Sequence, residues 1–115
     1  MAARMVGGGR MLAMSNARYR LAEIGHGRFF ATRERGRQIR EGIEASSSPA
    51  DALVLDFLGV EAITGSFGDE LVGKLASGGY GLTVEGVADD VRETIETVLK
   101  RRDLTVCKYL RPIEG

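Results

Sequence analysis

The apolar and polar positions of this chain fall into short blocks with different periods. "RYRLAEIG" alternates: Tyr19, Leu21 and Glu23 point one way, and Arg20, Ala22 and Ile24 the other. A period of two predicts a strand with one partly solvated face. "GHG" at 25–27 is a turn signal, and the short aromatic "RFFA" that follows reads as a hairpin return. Thr32 has the character of a helix N-cap. In "RERGRQIREGIEA" Ile39 and Ile43 recur at i, i+4 with Gly36 on the same side, while Arg33, Arg37 and Arg40 gather on another face. Gly36 inside this helix suggests a backbone lying close against a sheet. "ASSSPAD" is a loop. "ALVLDFLG", Ala52 to Gly59, is nearly continuous in apolar residues, which predicts a strand buried on both faces. Asp56 interrupts it near its end. A buried carboxylate needs partners, so Asp56 is expected to bond backbone amides of the next turn.

A helix is predicted from Phe67 to about Ala76, with Phe67, Leu71 and Leu75 as its stripe and Val72 beside them. "SGGYG" supplies glycines for its C-cap. "LTVEGV" reads as another short strand. "ADDVRETIETVLKRRD" is the clearest helix in the chain: Val91, Ile95, Val98 and Leu99 form its buried stripe. Asp89 and Asp90 at its start and Lys100, Arg101 and Arg102 at its end match the macrodipole. The tail "LTVCKYLRPIEG" alternates in part and predicts a last edge strand stopped by Pro112. Strands alternating with helices in this order predict an α/β fold, with about three helices packed on a mixed or parallel sheet.

Length and charge narrow the class. The 115 residues suit one domain, placed at 15–115, preceded by a flexible extension over 1–14 that holds the chain's methionines. Acidic and basic residues balance at 16 each, which argues against a nucleic-acid binder. No apolar run approaches the ~20 residues of a membrane span. The single cysteine, Cys107, cannot form an internal disulfide, so a reducing, cytoplasmic setting is expected, with the thiol buried and inert. With His26 as the lone histidine, a turn residue, a zinc site is not expected.

Candidate chemistry concentrates in "ITGSFGDEL", Ile63 to Leu71. Ser66 and Asp69 have capping-box spacing, so the serine oxygen is expected to accept from an amide of the helix's first turn. Asp69 and Glu70 then sit where the helix dipole favours acids. A nucleophile elbow would place a glycine two residues before the serine and would need a separate histidine and acid; here Gly65 is adjacent to Ser66. A phosphate loop would need a lysine that is not there. Asp56, Asp69 and Glu70 are suitable types for magnesium, but their cap and dipole roles already account for them. No catalytic residue, metal site or cofactor is therefore expected.

The run Leu55, Asp56, Phe57, Val60, Ile63, Ser66, Phe67, Asp69, Glu70 and Leu71 resembles the "LDF-x-x-V-x-x-I-x-x-SF-x-DEL" core of the STAS-like bacterial family, a domain of unknown function, and the similarity extends over roughly Tyr19 to Arg102. More distantly, the layout is similar to the STAS domains of anti-sigma-factor antagonists. In those, a serine at a helix start is phosphorylated by a partner kinase, which breaks binding. Ser66 falls within a position of that serine, and Thr64 stands about where the antagonists carry an aspartate. The resemblance implies a STAS-like fold and a non-enzymatic regulatory module that binds a protein, such as a kinase-like ATPase or an anti-sigma factor. It makes Ser66 and Thr64 the candidate phosphoacceptors, and Asp56, Gly65, Ser66, Phe67, Asp69 and Glu70 the candidate docking residues. The alternatives are a small nucleotide- or anion-binding domain using the Gly65–Ser66 turn with Arg33 or Arg37, and a subunit that acts by forming a homo-oligomer.

Overall fold

The computed structural model describes residues 16–111. In chain order the elements are β1 (Asn16–Arg20), the helical turn α1 (Leu21–Ile24), β2 (Phe29–Phe30), α2 (Arg33–Ser46), β3 (Ala52–Asp56), β4 (Ala62–Ile63), and α3 (Gly65–Gly68). α3 runs through a π-helical stretch, Asp69–Gly73, into α4 (Lys74–Ser77); then follow β5 (Gly81–Glu85), α5 (Asp89–Arg101) and α6 (Val106–Tyr109). The expected extension over 1–14 and the stop at Pro112 lie outside the described residues.

β3, the most apolar strand, is the centre of a three-stranded parallel sheet of order β1-β3-β5. Tyr19 lies opposite Leu55 and Leu55 opposite Val84; one step on, Arg20, Asp56 and Glu85 are in line. Successive strands step across the sheet in one direction. Right-handed crossovers then deliver both connecting helices to the same face. Leu53, Leu55, Leu82 and Val84 point into that face and are buried with Ile39, Ile43, Leu71, Leu75, Ile95 and Leu99 in one core.

The other face departs from expectation. Ala52 and Val54 are half-buried rather than buried, and neither belongs to the core that the described helices cover. Ion pairs run across this face instead: Arg18 and Arg20 reach Asp56 at 3.4 and 3.3 Å, Arg18 also pairs with Glu85, and Arg111 approaches Glu85 at 3.5 Å.

The α/β class and the three long helical stretches, α2, residues 65–77 and α5, are as the apolar spacing predicts. Thr32 caps α2 by accepting from the Arg35 amide at 3.1 Å. Val91, Ile95, Val98 and Leu99 are the buried stripe of α5.

Local departures have local causes. The first strand ends at Arg20, and Leu21–Ile24 winds into a helical turn that buries Leu21 completely. Phe29–Phe30 does not return as a hairpin on β1; it pairs in parallel with Ala62–Ile63, after the chain reverses at His26, which has φ 55°. The tail forms the turn α6 and then touches the sheet through a single parallel bridge, Leu110 to Val84, rather than as a strand. That turn buries Tyr109 and leaves Cys107 exposed, contrary to the buried thiol expected. Gly36 does mark a close approach, but to a helix: a Cβ there would meet the Phe67 carbonyl at 2.9 Å and Glu70 Cβ at 3.1 Å.

Candidate functional site

The site lies where β3 hands the chain to the helix of residues 65–77. Asp56 closes the strand at 4% exposure. Its Oδ1 accepts from the Leu58 amide at 2.9 Å, the bond to the next turn that its burial demanded, and its Oδ2 accepts from Arg20 Nε at 3.3 Å. Gly86 borders the same loop with φ +73°, and any Cβ there would lie 2.7 Å from Asp56 Oδ1. A buried carboxylate with this many donors fixes the loop.

The helix begins two residues earlier than its apolar stripe indicates. Thr64, not Ser66, is the N-cap. Its Oγ1 accepts from the Phe67 amide at 3.2 Å and donates to the Ala31 carbonyl at 2.6 Å. The capping box expected at Ser66 and Asp69 is therefore not formed. The Ala31 bond decides the matter, because it ties Thr64 to the segment leading into α2. It also engages the Thr64 hydroxyl both as acceptor and as donor. Ser66 is the second residue of the helix and is exposed, as is Gly65. No hydrogen bond engages the Ser66 hydroxyl among the described residues. It opens on a cleft of about 450 Å³ lined by Arg33, Thr64, Gly65, Asp69, Val98 and Arg101.

Beneath this turn the helix is held by ions rather than by its dipole. Phe67 is fully buried and stacks on Phe30 with ring centroids 5.0 Å apart. Glu70, one of the candidate docking residues, is 2% exposed. Arg40 Nη2, Lys74 Nζ and Arg33 Nη1 donate to its carboxylate at 2.9, 3.0 and 3.1 Å. Burial alone would raise the Glu70 carboxyl; hydrogen bonds from Lys74, Arg40 and Arg33 outweigh that and hold it at about 2. Asp69 is half-buried and bound by Arg102 through both oxygens, at 2.7 and 3.0 Å, which keeps its carboxyl below the usual carboxylate range.

The π winding takes part. The Lys74 amide points back five residues to the Asp69 carbonyl instead of four to Glu70, and Arg40 Nε donates to the Glu70 carbonyl at 3.0 Å.

The candidate docking residues thus divide. Gly65 and Ser66 are at the surface and Asp69 is partly so, whereas Asp56, Phe67 and Glu70 are packed inside the domain as its support. The arginine face of α2 divides too. Arg40 turns inward onto Glu70, Arg33 bridges Glu70 and Asp69, and Arg37 stays in solvent. Lys74, Arg101 and Arg102 complete the surroundings and were not among the sequence candidates. The Glu70–Lys74 spacing of i, i+4 was a visible signal; the approach of Arg102 to Asp69, 33 residues away, had none.

Among the described residues no group of His, Cys, Asp and Glu side chains is arranged to hold a metal ion, and no helix is long and apolar enough to cross a membrane. In a comparison with protein-family models, residues 35–92, half of the chain, match the STAS-like domain of unknown function (DUF4325). No curated protein matches the chain, and no solved structure does.

Proposed function

We propose, from the premise that the chain belongs to the family of STAS-like domains of unknown function, that it is a non-enzymatic regulatory module. It docks on a protein through the Gly65–Ser66 turn, with Ser66 as the switch. The partner on this reading is a kinase-like ATPase or an anti-sigma factor. The observation that carries it is the exposed Ser66 hydroxyl at a helix start, in a cleft shared with Arg33 and Arg101.

A phosphate there would add nearly two negative charges at pH 7. The helix dipole and the two arginines favour it. Asp69 opposes it, but that carboxylate is already bound by Arg102. The fold therefore tolerates the modification, while any surface docked over the turn has to accommodate the new charge. Co-purification tests this directly. Ser66→Glu should lose the natural partner and Ser66→Ala should keep it, with both variants melting like wild type. Equal retention by Ser66→Glu would remove the switch.

The same cleft favours a second reading, a small nucleotide- or anion-binding domain using the turn with Arg33 or Arg37. Stabilisation by a nucleotide in a thermal-shift screen supports that reading; no shift at millimolar levels of any nucleotide eliminates it.

A further inference from the structure

The zero net charge of the chain hides a local excess of cations. A second cleft, of about 460 Å³, is lined by Arg33, Glu34, Arg37, Glu70 and Lys74. It meets the Ser66 cleft at Arg33. Carboxylates lie in both clefts, but those at the floor are already engaged: Glu70 by Arg40, Arg33 and Lys74, and Asp69 by Arg102.

The other arginines of the described residues are each tied down. Arg28 pairs with Glu61 and Arg92 with Glu96, and Arg35 donates to Gln38 and to the Gly25 carbonyl. Arg37 and Arg101 are the exceptions. Neither has an ion pair or a side-chain hydrogen bond among the described residues, and both are exposed. They stand on opposite sides of Arg33, one in each cleft, and Arg33 and Lys74 are themselves 57% and 43% exposed.

We infer that the joined clefts bind an acidic segment of a partner protein, with carboxylates distributed over Arg37, Arg33 and Arg101 and Lys74 at the flank. This rests on the interaction-module reading above and specifies the chemistry of the partner. Planar guanidinium groups suit carboxylates, which they hold through paired N–H donors. Nucleic acid is the poorer fit. Neither cleft contains an aromatic side chain on which a base could stack.

The test is an NMR titration of the full chain with poly-L-glutamate, with inorganic phosphate and a single-stranded RNA oligonucleotide as separate arms. The expected result is saturable movement of amide signals around Arg33, Arg37, Ser66 and Arg101 with poly-L-glutamate, weakening as salt is raised. Both R37E/R101E and the milder R37Q/R101Q should weaken it, the former by about tenfold or more. Absence of saturable shifts, shifts centred elsewhere, or unchanged binding by both double variants overturns the proposal. So does binding of phosphate alone, or tighter binding of RNA. A failure here with Ser66→Glu still releasing the natural partner condemns only the acidic segment. If Ser66→Glu also keeps that partner, the switch fails with it.

Discussion

Replacing Glu70 by glutamine probes how the site is supported. The Glu70 side chain is 3% exposed and receives three cations. Arg33 and Lys74 are 57% and 43% exposed and can turn to water once the charge is gone. Arg40, at 13%, cannot; it would keep Glu44 and the Glu70 carbonyl. Leaving a buried charge uncompensated costs roughly 3–5 kcal/mol, and the retained Glu44 brings the expected loss to about 2–3 kcal/mol. That is a large share of a domain's stability of ~5–15 kcal/mol, and it reads out as a lower urea midpoint at unchanged slope.

The same group predicts the acid response. Folding depresses the Glu70 carboxyl from an ordinary 4.5 to about 2. Its contribution is therefore complete above the unfolded value and lost as pH falls through the folded one, a difference on the order of 3 kcal/mol. Wild type should lose stability between roughly pH 5 and pH 2. Glu70→Gln should fall less steeply, with Asp69, also held low, supplying the remainder. The reasoning is refuted if Glu70→Gln stays within about 0.5 kcal/mol of wild type, the range of an ordinary surface change, or keeps the full acid slope.

Two glycines of α2 should respond in opposite directions to alanine. Gly42→Ala meets nothing within 4 Å and should raise the thermal midpoint by the equivalent of about 1 kcal/mol. Gly36→Ala drives a Cβ to 2.9 Å from the Phe67 carbonyl and should lower it by roughly 1–3 kcal/mol despite its better helix propensity. Thr64→Val loses the cap and the bond to Ala31 and should cost about 1–2 kcal/mol in urea unfolding, whereas Ser66→Ala should stay within ~0.5 kcal/mol; the reverse order would return the cap to Ser66.

Much of the fold was legible because its longer elements carry strong periodicity. Ile39 and Ile43, Leu71 and Leu75, and Val91, Ile95 and Leu99 reach the core as their spacing requires. Short segments were not. "RLAEIG" satisfies an alternating pattern, yet Leu21 is drawn into the core by a helical turn that four residues cannot announce. Thr64 and Ser66 are both hydroxyls placed three residues before a helical amide. Only the bond from Thr64 to Ala31, 33 residues away, selects between them. The charges of "DE" resemble first-turn residues in any helix; Arg40 and Arg102 decide otherwise from other elements. At the site, the exposed serine was readable from local chemistry, while the ion-paired support beneath it came from tertiary packing alone.

The π stretch at Asp69–Gly73 sets the angular phase of everything after it. Each residue of an α-helix advances the next side chain by about 100°. Rewinding the five residues Asp69–Gly73 as α-helix, with none removed, would advance everything downstream by about one residue's rotation, turning Leu75 and Ala76 out of the interior and swinging Lys74 off Glu70. Deleting one residue here as the winding returned to α would instead leave the flanking turns in phase, so the wide stretch acts as a gear tooth between the serine turn on one side and the core on the other: one extra residue is taken up without turning either.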